Sequence, residues 1–101
     1  MNEPKKKILL VEDDIALASV YRSRLELEDF ETKEVHNGEE ALAAAKDYKP
    51  DLILLDAMMP KISGFDVLDI LRNTPETKDV KVIMLTALSQ AKDKEDRKSV
   101  V

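Results

Sequence analysis

Three carboxylates stand at the ends of two apolar runs: Asp13 and Asp14 follow Lys-Ile-Leu-Leu-Val-Glu, and Asp56 closes Asp-Leu-Ile-Leu-Leu-Asp. If the two runs are neighbouring parallel strands, the acids converge on one sheet edge, where they repel unless a cation lies among them. Oxygen ligands of this kind suit Mg2+, with Mn2+ as a second choice, because such an ion keeps waters and needs few protein oxygens. With two acids on the metal, the third can attack an electrophile, and the metal would neutralise charge developing on a transferred phosphoryl group. Thr86, just after the apolar run Val80–Leu85, adds a hydroxyl to the same edge. Taken alone, Asp14 reads equally well as the N-cap of the helix that follows, since Asp is a favoured capping residue.

The elements that must position these groups alternate along the chain. Lys7–Val11 predicts a strand, and Ile15–Asp29 a helix with Ala16, Leu17, Val20, Tyr21, Leu25 and Leu27 largely at helical spacing. Glu31–Val35 predicts a short strand; after the Asn37-Gly38 turn, Glu39–Tyr48 carries Ala41, Leu42 and Ala45 on a helical face that Pro50 ends. Leu52–Leu55 predicts a third strand, Met59-Pro60 and Ser63-Gly64 punctuate a loop, and Phe65–Arg72 a third helix. Val80–Leu85 predicts a fourth strand. Near-continuous apolar strands alternating with amphipathic helices define an α/β protein with a doubly wound parallel sheet, whose sites lie at the carboxyl ends of the strands.

Composition excludes several classes of function. A chain of 101 residues allows one small domain, and its apolar runs are far too short to span a membrane. Lys5-Lys6-Lys7 lacks the apolar stretch of a secretory signal, so a cytoplasmic location is expected. No cysteine is present, which removes thiolate catalysis, disulfides and cysteine-bound metals. The net charge of −5 argues against this domain gripping nucleic acid through its own surface. A single histidine, His36 beside Asn37-Gly38, reads as an exposed turn neighbour rather than a phosphohistidine. Met58, Met59 and Met84 read as packing residues, because no soft co-ligand accompanies them.

Glu-Asp-Asp, Asp-x-Met-Met-Pro-x-x-x-Gly and Leu-Thr-Ala stand at three successive strand ends, and together they are specific. Over residues 5 to about 95 the chain resembles the response-regulator receiver domain of two-component signalling, with its flavodoxin-like fold. The resemblance implies that Asp56 is the phosphoacceptor, Asp13 and Asp14 the Mg2+ acids, the backbone carbonyl of Met58 a further ligand, and Thr86 a hydroxyl that turns inward on phosphorylation. It implies a sensor histidine kinase as phosphoryl donor and no enzymatic activity beyond self-phosphorylation and autodephosphorylation on Asp56. The new anion would favour a different surface near the fourth helix, a population shift biased by charge.

A receiver also has a fifth strand ending in a lysine, then a fifth helix, and neither follows Leu88–Glu95 here. Lys98 imitates that lysine by composition only, since no apolar strand precedes it. The expectation is a truncated receiver over 1–95, with impaired phosphorylation, and a non-native tail over 96–101. That tail, Asp-Arg-Lys-Ser-Val-Val, resembles the translation of a common short-read sequencing adapter. Loss of the fifth strand would leave Val80–Leu85 as an open edge, and a homodimer is expected to cover it. Two rival functions stand beside the phosphoacceptor. One is a receiver fragment that self-associates without signalling; the other is a metal-dependent phosphohydrolase with Asp56 as nucleophile, although Met58 occupies the place where that class expects a second acid. A dinucleotide site is disfavoured, because acids stand where a Gly-rich loop should receive phosphate.

Overall fold

In the computed structural model, residues 4–85 are described. Thr86, the segment from Leu88 onward, Lys98 and the 96–101 tail lie outside them. The described chain forms β1 (Lys7–Val11), α1 (Ile15–Leu27), β2 (Glu31–Val35), α2 (Gly38–Asp47), β3 (Leu52–Asp56), α3 (Gly64–Arg72) and β4 (Lys81–Leu85). The strands make one sheet in the order β2-β1-β3-β4, every neighbouring pair parallel. This is a receiver-type doubly wound α/β fold, with no fifth strand or fifth helix among the described residues.

Alternation along the strands sorts the core into two layers. Leu9 and Val11 of β1 and Ile53 and Leu55 of β3 meet Ala41, Ala44 and Ala45 of α2 and Val67 and Leu71 of α3 in the main cluster. Ile8 and Leu10 are equally buried but face the other way, toward α1. That second layer is thin: Ala18 is the one fully buried residue of α1, while Val20 and Leu27 are largely exposed.

Each helix follows a strand, so all three begin at the carboxyl edge of the sheet, and each is capped there by a side chain. Asp14 Oδ1 accepts from the Leu17 amide at 3.1 Å and Asn37 Oδ1 from the Glu40 amide at 2.8 Å, while Ser63 and Asp66 exchange bonds in a capping box. At its far end α1 closes with a Schellman turn, in which the amide of Phe30 donates to Leu25 O and that of Asp29 to Glu26 O. Asp29 takes the left-handed position of that turn, at φ 72°.

The strand order reverses direction between β1 and β3, and such a switch point opens a crevice beyond the strand ends. The register pairs Leu10 with Leu54 and Val11 with Leu55, so the next rung sets Glu12 beside Asp56.

Candidate phosphoacceptor and metal site

At this switch point Glu12, Asp13 and Asp56 each offer a carboxylate oxygen, and the three oxygens lie within 4.8 Å of one another. Glu12 and Asp56 are buried and Asp13 is exposed, so the pocket has a dry floor and an open mouth. Strand parity accounts for the floor. Glu12 continues the row of Ile8 and Leu10, and Asp56 the row of Leu52 and Leu54, so both acids point to the α1 side of the sheet. The Glu12 amide donates to Val35 O at 3.1 Å and so extends the pairing of β1 with β2 by one residue.

The site holds Asp56 by its backbone and by one oxygen. Its Oδ1 accepts from the Met58 amide at 3.0 Å, whereas Oδ2 is buried with no hydrogen-bond partner among the described residues. Gly64 clamps the peptide from behind: its amide donates to Ala57 O at 3.0 Å, and a Cβ there would stand 2.3 Å from the Asp56 carbonyl oxygen. Only glycine permits that approach. Burial pushes the Asp56 carboxyl up to about 8; the adjoining carboxyl groups of Asp13 and Glu12 and the charge of Glu12 push the same way, against the lowering effect of the Met58 amide. Burial also raises the carboxyl of Glu12, opposed mainly by its bond from the Asp14 amide. Without a cation the cluster therefore retains a proton at neutral pH, because two buried carboxylates cannot both ionise cheaply at this separation.

The predicted site residues fall as follows. Asp13 and Asp56 come together. Asp14 does not join them: one residue further on, the chain has turned into α1, and the Asp14 carboxylate is spent as the N-cap. The third acid is instead Glu12, which the sequence reading passed over and which lies 1% exposed at the pocket floor. Its oxygen Oε2 accepts from the Asp14 N–H at 3.1 Å, so the acid expected on the metal helps to hold the acid that lies on the pocket floor. Met58 stands next to the pocket with its side chain largely exposed. Thr86 lies outside the described residues. His36 is no bare turn neighbour, since its Nε2 meets Glu34 Oε2, which Arg22 approaches from α1 at 3.5 Å on the other oxygen.

An acid pocket at the switch point of a doubly wound parallel sheet places the chain among α/β domains whose site lies at the carboxyl edge of the strands. A family model described as the response regulator receiver domain matches residues 8–100. The chain belongs to the response regulator receiver domain family. It is 40% identical over 88 residues to the DNA-binding dual master transcriptional regulator RpaA of Synechocystis sp., covering 87% of this chain and 36% of that protein. It is 36% identical over 90 residues to the polar-differentiation response regulator DivK of Brucella anthropi, covering 89% of this chain and 73% of the relative. Among solved structures, the N-terminal domain of a response regulator receiver protein from Methanoculleus marisnigri aligns with a TM-score of 0.79 at 34% identity, over 86% of this chain and 74% of that one. The chain thus spans little more than a third of a full transcriptional regulator such as RpaA.

Proposed function

We propose that this domain is a phosphoacceptor of two-component signalling, phosphorylated on Asp56 by a sensor histidine kinase with Mg2+ or Mn2+ in the acid pocket. The observation that carries the reading is the buried Oδ2 of Asp56, without a hydrogen-bond partner among the described residues, beside the oxygens of Glu12 and Asp13. Buried polar atoms are rarely left unsatisfied, and an all-oxygen, net-negative pocket suits a hard divalent ion. Glu12, Asp13 and Asp56 would hold the metal, with the Met58 carbonyl as a further ligand at the same loop. When bound, the ion supplies positive charge that favours the ionised pocket and offsets charge on the phosphoryl oxygens.

The residues of the chain do the rest. The Met58 amide fixes Oδ1 and so leaves Oδ2 as the free oxygen that serves as the nucleophile. Attack of Oδ2 on the phosphorus of a phosphohistidine forms a P–O bond as the P–N bond breaks, leaving neutral imidazole once it takes a proton. Water then cleaves the acyl phosphate and restores the carboxylate. The domain acts as a signalling part and not as a turnover enzyme, in keeping with a cytoplasmic location and with a net charge that leaves nucleic acid to other proteins or segments. Thr86 is the hydroxyl that would answer the phosphoryl group. Self-association is part of the same proposal, supported by Ile83, which is half exposed on β4 at the end of the described sheet.

Incubation with acetyl phosphate or phosphoramidate and Mg2+, followed by intact-mass measurement, tests the reading. One phosphoryl group should add to the wild-type chain and none to Asp56→Asn. An adduct that persists in Asp56→Asn removes Asp56 from its role.

A further inference from the structure

One buried polar group next to the pocket has no part in the chemistry above. The hydroxyl of Tyr21 on α1 is buried without a hydrogen-bond partner among the described residues. Such a group normally finds an acceptor, so an unpaired one signals a bond made in another state of the site.

Its placement says where the acceptor lies. α1 starts at the carboxyl edge of the sheet, and side chains on a helix lean toward its N-terminus, over the preceding turn. Tyr21 therefore leans back toward the edge where Glu12 and Asp56 sit. The residue one turn ahead of it on that face is Ala18, fully buried and too small to wall the phenol off from the pocket. Glu12 and Asp56 occupy the same face of the sheet as Ile8 and Leu10, the face that α1 covers. Burial, with the negative charges of Glu12 and then Asp56, holds the phenol up at about 12, so it remains a protonated donor at neutral pH. Thr32 Oγ1 is also buried and unpaired, but it lies on the rung of Ile8, at the opposite end of β1 from Glu12.

The geometry points to Tyr21 as a positioning residue of the acid pocket, whose hydroxyl donates to the Glu12 carboxylate when the pocket closes on a divalent cation and so steadies Glu12 beside the ion. No covalent bond changes; a phenol proton gains an acceptor and a buried carboxylate gains a donor. The inference rests on the reading of Glu12, Asp13 and Asp56 as the Mg2+ site, and it extends that site to a residue two turns along α1.

The full chain labelled with 13C at the tyrosine Cζ atoms and titrated with MgCl2 tests it, because that carbon reports the hydrogen bonding of the phenol. Tyr21→Phe assigns the two tyrosine signals and removes only the hydroxyl. The Tyr21 signal should move and saturate together with the amides of residues 12, 13 and 56, while Tyr21→Phe should bind Mg2+ roughly three- to tenfold more weakly without losing thermal stability. Thr32→Val, which removes the other hydroxyl, should leave the affinity within about twofold. A Tyr21 signal that stays put, or an unchanged affinity in Tyr21→Phe, overturns the role of Tyr21 while leaving the metal site standing. Absence of any Mg2+ response in the wild-type amides overturns both. If Tyr21→Phe does not fold, the wild-type Cζ signal decides by itself.

Discussion

Gly64 and Asp56 meet backbone to backbone: a Cβ on Gly64 would lie 2.3 Å from the carbonyl oxygen of Asp56 and 2.7 Å from Cα of Ala57. The start of α3 is thereby braced against the peptide that aims Asp56, the proposed phosphoacceptor. Neither neighbour is the far end of a flexible side chain, so a methyl group must displace the strand end itself. Gly64→Ala is expected to lose most phosphorylation on Asp56 and to destabilise the fold by about 1–3 kcal/mol, the range for overpacking. Urea denaturation and mass measurement after acetyl phosphate treatment check it together; wild-type values in both would show that the clamp is slack.

The acid pocket separates Glu12, which lines it, from Asp14, which caps α1. Glu12→Gln removes a buried charge from the cluster and should weaken Mg2+ binding about tenfold or more, each tenfold being about 1.4 kcal/mol. Asp14→Ala removes a cap, and should cost about 0.5–2 kcal/mol of stability while leaving Mg2+ affinity nearly intact. Amide-shift titrations paired with thermal unfolding distinguish the two. A reversed pattern would return Asp14 to the metal.

Asp56 makes stability depend on pH in a definite direction. Its carboxyl is raised to about 8 in the fold, above the usual value near 3.9 of an unfolded chain, so between these limits the folded form binds a proton that the unfolded form has released. Stability conferred by this group is complete below about pH 4 and is lost as pH rises through about 8, with a slope of at most one proton, ~1.4 kcal/mol per pH unit. In EDTA, wild-type stability should therefore fall relative to Asp56→Asn across that window. Parallel urea curves for the two proteins at every pH would contradict the dry floor of the pocket. Mg2+ affinity should climb over the same interval, since the ion competes with the proton.

Asp29 holds φ 72° in the Schellman turn that ends α1, a conformation that a Cβ disfavours. Asp29→Gly should stabilise the domain by about 1 kcal/mol. The ion pair it gives up, Lys5 Nζ to Asp29 Oδ1 at 3.5 Å, is solvent-exposed and contributes little. A lower midpoint in thermal unfolding would mean that the Asp side chain does more at this turn than its pairing with Lys5 suggests.

For the proposed self-association, light scattering after size exclusion across a dilution series should give a dimer or larger species that dissociates on dilution. A monodisperse monomer at every concentration would show that the chain needs no second copy.

Much of this was readable from residue order. The strands Lys7–Val11 and Glu31–Val35 are bounded as expected, because a basic start and an alternating pattern leave little choice. The helix expected to reach Asp29 stops at Leu27, since periodicity cannot see a Schellman turn built without glycine. The strand expected from Val80 starts at Lys81, where Val80 is still tied into the preceding turn through Thr77 O and the Arg72 guanidinium. The miss at Glu12 came from reading the acidic triplet as the end of a strand instead of counting parity through it. Ile8, Leu10 and Glu12 share a side, as do Leu52, Leu54 and Asp56, and that count alone pairs Glu12 with Asp56. Tyr21 carried no such signal, because an aromatic on an amphipathic helix reads as core.

The thin layer beneath α1 gives the domain an uneven energy surface. With Ala18 its one fully buried residue, α1 should open to amide exchange earlier than α2 or α3, whose buried alanines, Val67 and Leu71 are locked into the main cluster. The pocket acids ride on the strand ends, in the part expected to exchange slowly. Excursions of α1 would thus lift the roof, Tyr21 included, from a floor that stays assembled, so on the proposed function the lifetime of a bound ion or phosphoryl group would follow the least protected of the three described helices.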